Sequence, residues 1–348
     1  MIVNSAAVFT RLTSPLVVLL ALKRPTVFAP LSVSPLTELV CSSPVVPNVP
    51  AKLSVIAAPE LAVIGLTTVF GNAHTDVCTT NALRLLDIAG RPDIPVAKGA
   101  TRPLAMNYRG PAAFVHGQDG QGDTFLAPST LEPVAAHAAQ FIIDTVMAAP
   151  GDITVVLLGP FTNMALAMLM RPDLTTFVRE IVVMGGAAFT SGNASPASEA
   201  NVLNDPEAAD IVFGADCPIT MAGLDVTHRI TMTNSDLARF RAIPGARAAH
   251  LAAIVPFYAD FYRERNGVDG IFVHDSTTIS YLIAPHMFTW KELPIRVDTG
   301  HSVCRGRTLP ALRDSDDEGP WHGRRAVRIL TDVDTRGVIE LEFDHLSR

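Results

Sequence analysis

The sequence of 348 residues is poor in the residues that mark several specialised classes of protein. Aromatic residues make up 6% of the chain, and its formal net charge is -7. An acidic chain with few aromatic side chains lacks the basic, stacking surface that nucleic acids need, so nucleic-acid binding is disfavoured. The four cysteines are far apart and form no Cys-x-x-Cys pair. This spacing disfavours a zinc site and a disulfide framework, and it favours a reduced, cytoplasmic protein.

Long apolar runs are also scarce near the start of the chain. The longest early run, from Leu16 to Leu22, has seven residues and is far too short to span a bilayer. It has the length of a signal-peptide core, but no clear small-residue cleavage site follows it. We therefore expect a cytoplasmic protein without a membrane partner.

The first 56 residues differ in character from the rest. Glu38 is their only acidic residue, and prolines and serines interrupt short apolar runs. Such interruptions break helices and strands and leave no clean period. We predict that residues 1–56 form an atypical N-terminal segment of irregular or extended structure and that residues 57–348 form one domain.

From Leu61 onward, apolar runs alternate with segments of helical period. This alternation predicts a single α/β domain around a mostly parallel, Rossmann-like sheet flanked by helices. A strand-like pattern at 337–343 predicts one more strand near the end. The run 61–72 predicts a strand that is buried on both faces. Further strands are predicted at 94–100, 153–159, 180–186 and 218–223.

Polar side chains follow the ends of these predicted strands, where parallel sheets bind their ligands. Amide and carboxylate oxygens can bind sugar hydroxyls or a hard metal ion, and a histidine can act as a general acid. Each residue also has a purely structural interpretation, as a turn residue or a buried loop residue. Spacing alone therefore predicts only an α/β enzyme with a polar site. The residues concerned are Asn72, Asn193, Glu199, Asn201, His274 and Asp275.

Several motifs follow one another along the chain from about residue 57. They are LTTVFGN (66–72), LGPFTNMALAM (158–168), EIVVMGGA (180–187), GNASPASEANVLNDPEAADIVF (192–213), GLDVTH (223–228) and FVHDS (272–276). This series resembles the inosine–uridine-preferring nucleoside hydrolases. The resemblance implies hydrolysis of the N-glycosidic bond of purine or pyrimidine ribonucleosides to ribose and free base, in nucleoside salvage. It also implies a homo-oligomer, either a dimer or a tetramer.

The resemblance further implies which residues hold the nucleoside. Ribose hydroxyls would be bound by Asn193, Glu199 and Asn201, and Met184 would line the sugar pocket. His116, in VHGQDGQG (115–122), would belong to a loop that moves over the pocket.

Catalytic and metal-binding roles are implied in the same way. Asn72 would help to place the attacking water, and His274 would protonate the departing base. The carboxylate of Asp275 and the backbone carbonyl of Leu158 would be ligands of a bound calcium ion (Ca²⁺).

The chain departs from the family at its start. The family opens with a strand and the motif Asp-x-Asp-x-x-x-Asp-Asp, which supplies the general base and most of the side-chain calcium ligands. Counting back from Asn72 places the motif on residues 41–48, yet the chain has no aspartate before Asp76. The residues at the four acidic positions are Cys41, Ser43, Pro47 and Asn48.

Two explanations of this departure remain open. In one explanation, the first 50 or so residues are a mistranslated or misassembled start, and the true protein would carry the acidic motif. Alternatively, the protein keeps the fold but has lost hydrolysis, and serves as a nucleoside- or ribose-binding pseudoenzyme. The sequence does not determine the base preference.

Overall fold

The computed structural model describes residues 17–22, 37–40, 58, 60–313 and 319–347. The strands are β1 (Val17–Leu22), β2 (Thr37–Val40), β3 (Leu61–Thr68), β4 (Val96–Lys98), β5 (Ile153–Leu157), β6 (Glu180–Met184), β7 (Ile219–Ala222), β8 (Thr231–Thr233), β9 (Gly270–Phe272), β10 (Phe288–Leu293), β11 (Ile295–Val297), β12 (Thr308–Pro310) and β13 (Val327–Val333). The α-helices are α1 (Thr75–Ala89), α2 (Ala113–His116), α3 (Ala138–Ala148), α4 (Thr162–Met170), α5 (Ala200–Asn204), α6 (Pro206–Phe213), α7 (Leu224–Thr227), α8 (Asn234–Ala242), α9 (Ala246–Asn266), α10 (Ser276–Ile283) and α11 (Thr335–Ser347). In these ranges no helix is long and apolar enough to cross a membrane.

Within the described residues, nine strands form one central sheet in the order β10-β13-β7-β6-β5-β1-β2-β3-β4. Strands β13, β7, β6 and β5 are mutually parallel, and so are β2, β3 and β4. Strand β1 is antiparallel to its neighbours, and β10 is antiparallel to β13. The predicted α/β class, with a mostly parallel sheet flanked by helices, is confirmed.

Apolar side chains cover both faces of this sheet. Neighbouring residues of a strand point to opposite faces, and Val155 and Val156 of β5 accordingly belong to two different buried clusters. The same division separates Val182 from Val183 in β6. Burial on both faces explains why these strands are almost continuous apolar runs in the sequence.

Two stretches of the N-terminal segment are regular rather than irregular, because β1 and β2 are strands of the central sheet. The six apolar residues of β1 are enough for a strand, and the surrounding prolines concealed it in the sequence. Val17 aligns with Leu157 of β5 and with Thr67 of β3. Strand β1 therefore begins at the edge of the sheet where β3 and β5 end. The other residues before Ala58 lie outside the described residues.

The prediction of a strand at 337–343 is wrong, because this segment belongs to helix α11. The short window GVIELEF alternates in hydrophobicity, which favours a strand. Over the longer segment, the buried residues recur with the period of a helix. These are Val338, Ile339, Glu342, Phe343 and Leu346.

Asp205 fastens the start of α6 to two other segments. One carboxylate oxygen, Oδ1, accepts a hydrogen bond from the backbone N–H of Ala208 at 3.1 Å. The other accepts from the Thr162 hydroxyl at 2.6 Å and from the backbone N–H of Leu104 at 3.0 Å. Pro206 follows at the first helical position, where its missing N–H costs no hydrogen bond.

We expect Asp205→Ala to lower the free energy of unfolding by about 2 to 4 kcal/mol, because it removes a helix cap and leaves buried donors unpaired. Asp216→Ala is the matched control, since the Asp216 side chain is 85% exposed. Urea unfolding followed by circular dichroism measures the free energy of unfolding of both variants. Equal midpoints for the two variants would show that Asp205 does not fasten these segments.

Candidate active site

The predicted site residues gather where parallel strands end. Asn72 follows β3, and Leu158 is the residue directly after β5. Leu157 of β5 pairs in register with Val183 of β6. The next residues, Leu158 and Met184, are therefore neighbours at the carboxyl edge of the sheet, where open α/β sheets bind ligands.

The Glu199 carboxylate connects the end of β6 to helix α5. Its Oε1 accepts a hydrogen bond from the backbone N–H of Asn201 at 2.8 Å. Its Oε2 accepts from the N–H groups of Gly186 at 2.9 Å and Val202 at 3.1 Å. Glu199 has no exposed surface, and burial raises its pKa to about 7 although these N–H groups act to lower it.

Asn201 lies in α5 and faces the end of β6. Its Nδ2 donates to the backbone carbonyl of Met184 at 2.9 Å and to the Met184 sulfur at 3.4 Å. The Oδ1 atom is buried, and in the described part of the chain it accepts no hydrogen bond. Asn201 therefore keeps one buried acceptor for a ligand.

Asn193 lies in a tight turn between β6 and α5. Within this turn, the N–H of Ala194 donates to the Ser198 carbonyl at 3.2 Å. A Cβ atom at Gly192 would lie 2.2 Å from the Ser198 carbonyl oxygen, so the turn requires glycine there. Both amide atoms of Asn193 are buried without a hydrogen-bond partner among the described residues. The turn thus holds one donor, the Asn193 Nδ2, and one acceptor, the Asn193 Oδ1, that are available to a ligand.

Asn72 contacts His116 directly, although they are 44 residues apart in sequence. The Asn72 Nδ2 donates to the His116 Nε2 at 2.7 Å. Since this ring nitrogen accepts, the ring proton is on Nδ1. That N–H is buried and finds no partner in the part of the chain that the structure describes. The His116 ring also stacks on Tyr258, with 5.8 Å between the ring centroids.

His274 ends a chain of hydrogen-bonded side chains. The hydroxyls of Tyr258 and Tyr262 are 2.9 Å apart, and the Tyr262 hydroxyl is 3.0 Å from the His274 Nε2. The other ring nitrogen of His274 is 2.8 Å from the Thr227 hydroxyl. Both ring nitrogens are therefore engaged, and His274 is oriented from two sides.

The two site histidines are neutral at pH 7. Burial holds the pKa of His116 well below its ordinary value. Burial, together with the nearby His228 ring, does the same for the pKa of His274. Neither ring is present as a charged acid, and each acts through the hydrogen bonds that it makes.

An open cleft of about 540 Å³ leads to these residues. Asn193 forms part of one wall, and Tyr262, His228 and Phe272 form another. The His228 and His274 ring centroids are 5.6 Å apart. The cleft therefore connects the turn that carries Asn193 with the hydrogen-bonded chain that ends at His274.

Asp275 lies beside this chain. Burial is the main cause of the raised pKa values of Tyr258 and Tyr262, and the nearby Asp275 carboxylate raises both of them further. Asp275 is 3% exposed and makes no capping hydrogen bond to α10. Of the predicted site, the structure thus joins Asn72, His116, Asn193, His274 and Asp275 through Tyr258, Tyr262 and the cleft.

Comparison with known proteins identifies the family of this chain. The model of the family described as "Inosine-uridine preferring nucleoside hydrolase" matches residues 49–340. The chain belongs to this family. Uridine nucleosidase 1 of Arabidopsis thaliana is 38% identical over 292 residues, which cover 83% of this chain and 87% of that protein.

Two further nucleoside hydrolases show the extent of the likeness. The pyrimidine-specific ribonucleoside hydrolase RihA of Enterobacter sp. (strain 638) is 35% identical over 84% of this chain and 92% of that protein. A solved structure of a plant nucleoside hydrolase has a TM-score of 0.85 and 36% identity, and the match covers 88% of this chain and 96% of that one.

As a member of this family, the chain is an enzyme that hydrolyses the N-glycosidic bond of nucleosides. The relatives that match most of its length are named as nucleosidases and hydrolases. They do not favour the alternative of a binding module that has lost hydrolysis.

Nucleoside hydrolases are metal-dependent, and the donors in this chain fit a metal only in part. A carboxylate at Asp275 and a carbonyl at Leu158 are hard oxygen donors, the type that Ca²⁺ prefers. Ca²⁺ takes six to eight such ligands, and no group of three or more His, Cys, Asp or Glu side chains that could hold an ion occurs in the described ranges. The family's acidic positions, counted to residues 41–48, lie outside those ranges.

Sequence reasoning missed the two tyrosines of α9 and the two residues of the GLDVTH motif that surround His274. Tyr258 and Tyr262 are four residues apart, which places them on one face of the helix. Both are buried, as is Thr227. Paired tyrosines on the buried face of a helix were the available signal, since each buried hydroxyl needs a partner.

The high pKa of Glu199 predicts a specific pH dependence of stability. Between its ordinary pKa of 4.5 and about 7, the folded protein holds a proton that the unfolded chain has released. The contribution of this carboxyl to stability therefore falls as the pH rises through that window and is constant above it. Relative to Glu199→Gln, the wild-type free energy of unfolding should decrease by roughly 3 kcal/mol as the pH rises from 4.5 to about 7.

Urea unfolding of both proteins at several pH values between these limits measures this difference. A constant difference between wild type and variant would contradict a raised pKa at Glu199.

Proposed function

We propose that this nucleoside hydrolase acts on pyrimidine ribonucleosides, with uridine as a representative substrate, and releases ribose and free base. One observation carries the placement of the substrate. Buried hydrogen-bonding atoms of Asn193, Asn201 and His116 have no partner in the described part of the chain. An unpaired buried polar atom costs about 1 to 3 kcal/mol, and a ribose hydroxyl, which both donates and accepts, would offset this cost.

The ribose is held by amides, with Glu199 in a supporting role. Asn193 offers a donor and an acceptor to one hydroxyl, and Asn201 Oδ1 accepts from another. The Glu199 carboxylate already accepts three backbone N–H groups. A carboxylate has about four lone-pair sites, so Glu199 has room for one hydroxyl. Its main contribution is to fix the position of Asn201 against the end of β6.

The departing base is stabilised through Tyr262. Cleavage of the ribose–base bond develops positive charge on the sugar and negative charge on the base. Tyr262 lines the cleft, and its hydroxyl is hydrogen-bonded to His274. In this arrangement the His274 Nε2–H and the Tyr258 hydroxyl both donate to the Tyr262 oxygen. The single Tyr262 hydroxyl proton is then donated toward the base as the bond breaks, and His274 fixes its direction. The water that replaces the base is placed by Asn72.

Preference for a pyrimidine rests on the relatives and on the outer part of the cleft. Two of the relatives described above are named for uridine or for pyrimidine nucleosides. Arg265 and Asn266 line the cleft on the side of Tyr262. Both carry N–H donors, which suit the two carbonyl oxygens of uracil.

The metal in this proposal is Ca²⁺, with Asp275 and the Leu158 carbonyl among its ligands. When bound, Ca²⁺ supplies orientation of the nucleophilic water and a lower pKa for it. A cytoplasmic location and a dimeric or tetrameric assembly stay predictions from the sequence.

Substrate binding is tested with Asn193→Ala. We expect kcat/KM for uridine to fall about 10- to 100-fold, because the variant loses both hydrogen bonds to the sugar. Asn234→Ala is the matched control, since Asn234 is exposed on α8, outside the cleft lining. Release of uracil from uridine and of hypoxanthine from inosine, separated by liquid chromatography, measures the rates. The proposal fails if wild type releases no uracil, or if Asn193→Ala matches wild type.

Calcium binding is tested by titration calorimetry on wild type and Asp275→Asn. Because the donors are few, we expect a dissociation constant on the order of 10⁻³ M for wild type and no measurable binding for the variant. Asp332→Asn is the control, since the Asp332 side chain is 63% exposed. Equal affinities of wild type and Asp275→Asn for Ca²⁺ would remove Asp275 from the ligand set.

A further inference from the structure

Arg84 is a buried cation on helix α1, among apolar neighbours of the same helix. It is 9% exposed, and burial lowers the pKa of its guanidinium while the Asp119 carboxylate acts to raise it. A buried guanidinium is tolerated only where acceptors surround it. The acceptors of the hydrogen bonds that Arg84 donates therefore show which part of the structure its burial stabilises.

All but one of the hydrogen bonds that the Arg84 guanidinium donates go to a single segment, residues 117–127. We call this segment the covering loop. The Arg84 Nε donates to the Ala127 carbonyl at 2.9 Å, and Nη2 donates to the Leu126 carbonyl. Nη1 donates to the Gln121 Oε1 at 3.4 Å and to Asn81 Oδ1 at 2.6 Å. One guanidinium thus holds three points of the loop against α1.

Asn81 extends this attachment by one more hydrogen bond. Its Nδ2 donates to the Asp119 backbone carbonyl at 2.8 Å. Asn81 also accepts a hydrogen bond from Arg84. Together the two α1 residues therefore bind both the first and the second half of the covering loop. A lysine could not replace the arginine here, because an ammonium lacks the planar fork of donors.

The covering loop has a backbone conformation that needs such support. Asp123 and Phe125 are not glycines, yet their φ angles are 58° and 46°. Such left-handed conformations are unfavourable for residues with a Cβ and persist where surrounding contacts impose them. The Asp119 carboxylate accepts the N–H groups of Asp123 and Phe125 at 2.9 and 2.7 Å, which fixes the loop internally.

The covering loop begins directly after His116 and is bonded to it. The N–H of Gly122 donates to the His116 carbonyl at 2.7 Å. On its other side the loop lies against α9, where a Cβ at Gly122 would be 3.1 Å from the Ile254 carbonyl oxygen. His116 is therefore held between Asn72 and Tyr258 by a loop clamped between α1 and α9.

We propose that Arg84 is a positioning residue for nucleoside hydrolysis. Its guanidinium holds the covering loop in place, and the loop holds the His116 ring against Asn72 with its Nδ1–H directed to the substrate. Arg84 itself does not touch the nucleoside. The kinetic part of this inference rests on the proposed function, and the structural part does not.

The test compares Arg84→Ala, Arg84→Lys and the control Arg91→Ala. Arg91 is near the end of α1, where its side chain is 37% exposed and pairs with Asp93. We expect kcat/KM for uridine to fall about tenfold or more in both Arg84 variants, since small misplacements of a site group have such effects. Millimolar methylguanidinium should restore part of the activity of Arg84→Ala, and it should not alter Arg84→Lys or Arg91→Ala.

Hydrogen exchange provides a readout that is independent of activity. Backbone amides of residues 117–127 should exchange at least tenfold faster in both Arg84 variants than in wild type, and those of β5 and β6 should not change. Unchanged exchange in the loop, or kcat/KM within twofold of wild type, overturns the proposal. If Arg84→Ala does not fold, Arg84→Lys decides by the same measures.

The two proposals can fail separately. If wild type releases no base, the proposed function fails, and exchange of the covering loop still tests whether Arg84 holds it. If wild type is active and methylguanidinium gives no rescue of folded Arg84→Ala, the role of Arg84 is rejected while the proposed function stands.

Discussion

A buried carboxylate at Glu199 accepts backbone N–H groups from the end of β6 and from the first turn of α5. This contact fixes the geometry of the proposed sugar pocket, because it sets where Asn201 lies relative to the end of β6. The turn that carries Asn193 directly precedes it, so its orientation depends on the same anchor. The cost is a carboxyl group kept entirely away from water, which its raised pKa reflects.

A second group of residues is organised around α9. Tyr258 stacks on His116, and Tyr262 hydrogen-bonds to His274, so that one helix face positions both histidines. Neither histidine is charged at neutral pH. In the proposed function, chemistry at this site depends on oriented neutral donors near the base and on amides near the sugar. Arg84 and the covering loop complete the arrangement from the side of α1.

The parallel core of the fold could be predicted from the sequence, because strands buried on both faces are continuous apolar runs. The helix start at Asp205 could also be predicted, because its cap and proline are local signals. Strand β1 was hidden, since its apolar run is short and lies among prolines. Helix α11 was mistaken for a strand, because seven residues were too few to separate a period of two from a period of 3.6.

The site residues themselves were visible as polar side chains after strands, but their partners were not. Tyr258, Tyr262 and Arg84 lie inside helices, where their types suggest packing or a solvated face. Only the fold shows that their polar atoms meet His274 and the covering loop. The family's acidic motif is the remaining gap, since the chain has no aspartate before Asp76.

The central claim is that Asn193 and Asn201 hold a ribose while Tyr262 faces the base. A crystal structure with a bound C-nucleoside, whose carbon–carbon bond resists hydrolysis, tests this claim most directly. We predict ribose hydroxyls within about 3.2 Å of the Asn193 amide and of Asn201 Oδ1, with the base beside Tyr262. A nucleoside bound elsewhere, with the Asn193 and Asn201 atoms still unpaired, would contradict the account.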